Sequence, residues 1–251
     1  MSKEEDINKK LKILKVKDEA DNFHKSLHPF NVSFRMIISG KSQLSGKSTI
    51  IVNLLRPEFF GDHFKGENIY LISPSCRNDE KLSNLIKWKG IPDENIIEDF
   101  DEELLTELYQ HLKDEYEEAI EEGETPEHKL IIIDDFGYSG KLRSKLSGVI
   151  SALYCNARHF LVSSIMSIQR ITQALPVCRT NTTAFIMFSA SNSEFEIFEK
   201  ENNYSDKNKK EFLKIMRETT SEPHGFFIVS FLNKENKILY MNKDFEIIFS
   251  S

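Results

Sequence analysis

The fold of this 251-residue chain is decided by the stretch Ser39-Gly40-Lys41-Ser42-Gln43-Leu44-Ser45-Gly46-Lys47-Ser48-Thr49. An apolar run, Phe34 to Ile38, precedes it and predicts a buried strand, while Ile50 to Leu55 follows it and predicts the start of a helix. A strand, a glycine-containing loop that ends in Gly-Lys-Ser, and a helix are the context of a phosphate-binding loop. The backbone N–H groups of such a loop point at phosphates, so we expect residues 40–49 to bind a nucleotide.

Two side chains of this loop have expected roles. Lys47 would reach the β- and γ-phosphates, and the hydroxyl of Ser48 would ligate Mg²⁺. The spacing is irregular, because five residues separate Gly40 from Gly46 and Lys41 stands where the usual spacing has its first glycine. Either the loop carries one inserted residue, or Lys41 adopts a turn that glycine would form more easily. The alternative is a Gly-Lys-Ser on an ordinary surface turn.

A second informative stretch is Lys129-Leu130-Ile131-Ile132-Ile133-Asp134-Asp135. Three consecutive isoleucines are typical of a strand that is buried on both faces of a parallel sheet. The two carboxylates lie at its C-terminal end, where α/β sheets bind their ligands. We expect Asp134 to hold the Mg²⁺ shell and Asp135 to orient and deprotonate the attacking water, a position that is more often glutamate. A helix cap or turn after the strand is the alternative.

Other polar residues follow the next predicted strand, Phe160 to Met166. Gln169 lies just past it, where a polar residue of P-loop enzymes with an inserted strand senses the γ-phosphate or the water, although a surface glutamine would fit nearly as well. Transition-state charge on the γ-phosphate often requires an arginine from a neighbouring subunit. Arg179 is the first candidate and Arg158 the second, and each alone could equally be an ordinary surface arginine.

Composition limits the possible classes of protein. Hydrophobic residues make up 39% of the chain and charged residues 29%, which is ordinary for a globular domain. The net charge of −7 gives no signal of nucleic-acid binding, although an acidic protein can still concentrate positive charge at a pore. The chain has no apolar run of membrane-spanning length and no N-terminal signal region. Three widely spaced cysteines without a Cys-x-x-Cys pair predict a reducing compartment and no disulfide or zinc site.

The chain is predicted to form a charged N-terminal arm, residues 1–21, and one α/β domain, residues 22–251. No repeat and no Gly/Pro-rich linker divides the domain. Near the C-terminus, Gly225 to Phe231 and Lys237 to Met241 flank a polar turn and predict a β-hairpin.

One series of residues resembles a known family. It consists of Asn156-Ala157-Arg158-His159, an apolar strand, Gln169, Ala174-Leu175-Pro176-x-x-Arg179-x-Asn181 and a further apolar strand. Between about Phe34 and Phe188, the chain resembles the genome-packaging ATPases of large eukaryotic DNA viruses and their virophage relatives, of the FtsK–HerA branch. The resemblance implies a RecA-like P-loop NTPase domain (ASCE class) with a mostly parallel sheet flanked by helices.

The resemblance also implies function. The chain would form a homo-oligomeric ring, a pentamer or hexamer, which uses ATP and Mg²⁺ to thread double-stranded DNA into a preformed capsid through a portal vertex. Lys47, Asp135, Gln169 and one of the two arginines would be catalytic. The expected location is the host-cell cytoplasm, the virus factory or the virion.

The basic loop after Asp135 is our own candidate for DNA contact, through Lys141, Arg143 and Lys145. A solvated surface loop is the alternative for these three residues. For the whole chain, the alternatives are another RecA-like DNA enzyme, such as a helicase or a plasmid-transfer pump, and a nucleotide-binding scaffold that does not hydrolyse ATP.

Overall fold

The computed structural model describes residues 30–42, 45–136 and 147–251. In this part of the chain, nine strands form one sheet in the order β3-β2-β4-β5-β1-β6-β7-β8-β9. The strands are β1 Arg35–Ser39, β2 Ile69–Ile72, β3 Ile96–Ile97, β4 Lys129–Ile133, β5 Val162–Ile168, β6 Ala184–Phe188, β7 Phe226–Ser230, β8 Leu239–Met241 and β9 Ile247–Ser250.

Helices cover both faces of this sheet. They are α1 Lys47–Leu54, α2 Glu80–Lys89, α3 Glu102–Glu121, α4 Ser147–Asn156, α5 Pro176–Asn181, α6 Asn192–Asn202 and α7 Lys209–Thr219. The core is split by the sheet into two clusters, because successive strand residues point to opposite faces. Met36 and Ile38 pack with α1 and α2, whereas Ile37 packs with α3, α4, α6 and α7.

The first six strands of the sheet order run parallel, and the last three add to the sheet by antiparallel pairing. Strand β5 lies between the P-loop strand β1 and the acidic strand β4. The predicted fold class is therefore confirmed, including the inserted strand and the C-terminal hairpin of β7 and β8. This order brings the carboxyl ends of β1, β4 and β5 together at one edge, where the polar residues of the site lie.

Local sequence signals explain where helices begin and end. The carboxylates of Asp79 and Asp101 each accept two backbone N–H bonds and so cap the starts of α2 and α3. Helix α2 ends at Gly90, whose φ of 66° is the left-handed conformation common at helix C-termini. None of the described helices is long and apolar enough to cross a membrane. Cys76, Cys155 and Cys178 are free thiols.

Candidate active site

The P-loop connects β1 to α1 and lies at the carboxyl edge of the sheet. Gly46 precedes the helix with φ 90°, a conformation that side chains rarely adopt. A Cβ atom on Gly40 would lie 2.7 Å from Cβ of Ser45 and 2.9 Å from Cβ of Phe188, so only glycine fits there. Lys41 is not among the described residues with positive φ, so its position does not require glycine. Gln43 and Leu44 lie outside the described residues.

The Lys47 side chain turns back over its own loop. Its Nζ donates a hydrogen bond of 2.8 Å to the backbone carbonyl of Gly40. Burial lowers the pKa of Lys47, and the negative charges of Asp134 and Asp135 partly offset that effect. The ammonium group therefore lies in a partly desolvated site opposite two carboxylates, where its charge interacts strongly with an incoming phosphate.

Asp134 is held at the end of β4 by two serines from neighbouring strands. Its Oδ1 accepts a 2.5 Å hydrogen bond from Ser167 Oγ, and its Oδ2 is 3.5 Å from Ser73 Oγ. Only 5% of Asp134 is exposed, and this burial raises the pKa of its carboxyl. A bound cation would favour the ionised form.

Asp135 lies in contact with Gln169, a pairing that the sequence did not predict. Gln169 Nε2 donates a 2.9 Å hydrogen bond to Asp135 Oδ1. The backbone of Gln169 is held in turn, because its N–H donates a hydrogen bond of 2.8 Å to Gln173 Oε1. Asp135 has φ 57°, a conformation uncommon for residues other than glycine, at the point where the chain leaves the strand. Gln169 is thus placed to position Asp135.

The carboxylates and the P-loop line a cavity of about 350 Å³, whose lining also includes Ser48 and Asp79. Ser48 Oγ donates a 2.9 Å hydrogen bond to Asp79 Oδ2, the cap residue of α2. These hard oxygen donors fit Mg²⁺, which is usually held by one or two carboxylates together with substrate phosphates. The described residues contain no group of three or more His, Cys, Asp or Glu that could hold a metal ion without a ligand's help.

Both candidate arginines lie at the amino edge of the sheet, opposite their own P-loop. Arg158 belongs to a short 3₁₀ turn, Ala157–Phe160, before β5, and Arg179 belongs to α5 before β6. Arg179 donates two hydrogen bonds of 2.8 Å to Glu201, from Nε to Oε2 and from Nη2 to Oε1. Its Nη1 donates a third hydrogen bond, also of 2.8 Å, to the Ala174 carbonyl.

Arg158 is differently placed. Among the described residues, its side chain makes no hydrogen bond or ion pair, and it stands close to the buried Arg35. Burial and the positive charge of Arg158 lower the pKa of Arg35 to about 10. Arg35 Nη1 is buried without a hydrogen-bond partner in the described part of the chain.

Three predicted residues cannot be compared with the structure, and three residues of the site were not predicted. Lys141, Arg143 and Lys145, the candidates for DNA contact, lie outside the described residues. Ser73, Asp79 and Ser167 belong to the site but were not predicted from the sequence. The sequence could have identified Asp79 as a helix cap, since an Asp before Glu80 and an apolar helical stripe is typical of one. No sequence pattern indicates its contact with Ser48.

The P-loop, the two carboxylates and the inserted strand together define a P-loop ATPase of RecA-like fold. Known structures share this fold. The DNA-packaging ATPase B204 from Sulfolobus turreted icosahedral virus superposes with a TM-score of 0.54 and 16% identity, over 86% of this chain and 98% of that one. B204 from Sulfolobus turreted icosahedral virus 2, in complex with AMPPCP, superposes with a TM-score of 0.55 and 18% identity, over 89% of this chain and 100% of that one. The conjugation coupling protein TcpA of pCW3 superposes with a TM-score of 0.52 and 16% identity, over 84% of this chain and 61% of that one.

Family membership follows from the sequence itself. The family described as Poxvirus A32 protein matches residues 21–250, and the chain belongs to this family. The resemblance to viral genome-packaging ATPases is thereby confirmed. A comparison with curated proteins found no match.

Proposed function

We propose that this chain is the ATPase of a viral genome-packaging motor, which couples ATP hydrolysis to the movement of double-stranded DNA into a capsid. The observation that carries the proposal is the meeting of Lys47, Asp134 and the Asp135–Gln169 pair at one edge of the sheet. Membership of the Poxvirus A32 protein family supports the role in a virus. The relatives of the same fold include proteins described as DNA-packaging ATPases and one bound to the ATP analogue AMPPCP.

The site divides the work of hydrolysis among its residues. Backbone N–H groups of the loop and the Lys47 ammonium bind the phosphates and stabilise the negative charge that develops on them. Ser48 and Asp134 would hold Mg²⁺, which supplies further charge stabilisation when it is bound. Asp135 accepts the proton of the attacking water, and Gln169 orients Asp135 through their 2.9 Å hydrogen bond.

Gln169 gives a prediction about positioning. The Gln169→Ala variant should hydrolyse ATP roughly 10- to 100-fold more slowly, because Asp135 loses the contact that fixes its carboxylate. Its ATP affinity should stay close to wild type. A matched control exists on α3, where Gln110 Nε2 donates 2.6 Å to Asp114 Oδ1 on an exposed surface. Gln110→Ala should leave kcat unchanged, and an unchanged kcat in Gln169→Ala would contradict the positioning role.

An arginine from another subunit completes the proposed site. Strand β1 has five residues, about 16 Å of chain, so neither candidate arginine can reach a nucleotide on its own P-loop. Either one would have to act on a neighbouring subunit in a ring. Arg179 would have to give up its paired bonds to Glu201, whereas Arg158 makes no such bonds within the described part of the chain. The sequence favours Arg179, but this difference supports Arg158 as the trans-acting residue in our proposal.

Mixed rings test this assignment. Arg158→Ala subunits alone should hydrolyse ATP roughly 10³-fold more slowly, the usual scale for an arginine that acts in trans. Mixing them with Lys47→Ala subunits should restore part of the activity, because the Lys47→Ala subunits still supply Arg158 to intact P-loops. Arg179→Ala serves as the comparison. If Arg179→Ala subunits are complemented and Arg158→Ala subunits are not, Arg179 is the trans-acting residue. If neither variant is complemented, the result counts against a trans-acting arginine.

The activity itself is tested by ATP hydrolysis of the purified protein with and without double-stranded DNA. We expect Mg²⁺-dependent turnover that rises when DNA is added and falls with increasing salt, since phosphate contacts release counterions. The basic residues Lys141, Arg143 and Lys145 remain our prediction for that contact. Absence of ATP binding by the wild-type chain would overturn the proposed function.

A further inference from the structure

A second cavity, of about 310 Å³, adjoins the P-loop on the side away from the two carboxylates. It is lined by Lys41 and Ser45 of the loop, by Ser189 after β6, and by the turn at residues 220–225. Its volume is at the lower end of the range of small-molecule sites, about 300–1,000 Å³. Ser45 lines both cavities, so the two adjoin the same loop.

The sheet order fixes which part of a nucleotide would enter this cavity. Strand β4, with Asp134 and Asp135, lies on one side of β1, and β6 and β7 lie on the other. Strand β7 runs antiparallel to β6, with Phe226 opposite Phe188, so the turn before β7 stands at the P-loop edge. A triphosphate that directs its γ-phosphate towards the carboxylates therefore directs its nucleoside towards this turn.

The turn holds an aromatic side chain against the loop. His224 is exposed, has φ 59°, and its Nδ1 would lie 3.5 Å from a Cβ atom added to Gly46. Two features fix the turn. Glu222 pairs with Lys243 at 2.6 Å, and a Cβ atom on Gly225 would lie 2.8 Å from the carbonyl oxygen of Thr219. A positive φ is uncommon for a residue with a side chain, although histidine adopts it more readily than most.

We infer that this cavity holds the base and ribose of the bound nucleotide, with the His224 imidazole stacked on a purine base. The inference rests on the proposed ATPase function and adds the nucleoside subsite to it. Aromatic side chains bind bases through their faces, which all bases offer, so His224 contributes affinity for a nucleoside rather than strict choice among bases. The phosphates, by contrast, are bound on the other side of Ser45.

The test compares a ligand that has a base with one that lacks it. Asparagine tolerates positive φ, so His224→Asn removes the ring and keeps the turn. Its dissociation constant for ATP should rise roughly 5- to 100-fold, the range of aromatic–base stacking, while that for inorganic tripolyphosphate stays unchanged. The matched control is His111→Asn, because His111 lies on α3 with its side chain 64% exposed. It should bind both ligands like wild type.

Photolabelling with 8-azido-ATP gives an independent readout, and the labelled peptide should contain residues 221–225. Unchanged ATP affinity in His224→Asn, an equal loss of tripolyphosphate affinity, or labelling elsewhere would each overturn the subsite. These outcomes leave the proposed function intact if Lys47→Ala lowers the affinity for both ATP and tripolyphosphate. A wild-type chain that binds neither ligand would overturn both.

Discussion

Lys47→Ala should reduce ATP hydrolysis roughly 10²- to 10³-fold, the scale seen when one preorganised donor is removed from a site of developing negative charge. The reason lies in the position of Nζ, which is partly desolvated and held 2.8 Å from the Gly40 carbonyl on the loop that would carry the phosphates. A charge in such a site stabilises phosphate oxygens more strongly than one in water. The measurement is steady-state phosphate release at saturating ATP and Mg²⁺.

The control for this variant is Lys113→Ala. Lys113 lies on α3, where it forms an exposed i,i+4 pair with Glu117 at 3.4 Å. Removing it deletes one surface charge of the same kind, so turnover should stay at the wild-type level. Normal hydrolysis by Lys47→Ala would remove the phosphate-binding role from this loop and, with it, the basis of the assigned function.

Asp135→Asn should lower ATP hydrolysis at least as strongly as Lys47→Ala. Asparagine keeps the size of the side chain and can still accept the bond from Gln169, but it cannot take a proton from water. We expect kcat to fall roughly 10²- to 10⁴-fold, the usual contribution of a general base, with ATP affinity near wild type. Single-turnover hydrolysis and nucleotide titration, run on the same preparation, separate the two quantities.

Asp114→Asn is the matched control, because Asp114 accepts an equivalent hydrogen bond from Gln110 on an exposed helix face. Its turnover should not change. Full activity in Asp135→Asn would assign the base to another residue. Loss of ATP binding would instead show that Asp135 serves the nucleotide or its cation rather than the water.

Much of the fold could be predicted from local sequence patterns. The isoleucine-rich run before Asp134 and the apolar run before Gly40 indicate buried strands, because both faces of a parallel strand are covered. The inserted strand was also predictable, since Gln169 follows an apolar run that comes after the acidic strand. That order places Gln169 and Asp135 at the same edge of the sheet, but the hydrogen bond between them was not predicted.

The rest of the site depends on contacts that no local pattern encodes. Ser73 and Ser167 are 61 and 33 positions from Asp134, and a serine at the end of a strand gives no sign of its partner. Asp79 was readable as a helix cap, but its bond to Ser48 depends on how α2 packs beside the loop. His224 reaches the loop only because β7 reverses direction beside β6.

The proposed function requires that ATP hydrolysis move this protein along double-stranded DNA. Its most direct test is displacement of a triplex-forming oligonucleotide from a linear duplex by the purified protein, with Lys47→Ala as the inactive comparison. We expect ATP-dependent displacement by the wild-type protein without separation of the duplex strands, and no displacement by Lys47→Ala. A wild-type preparation that hydrolyses ATP in response to DNA and yet leaves the triplex in place would contradict it.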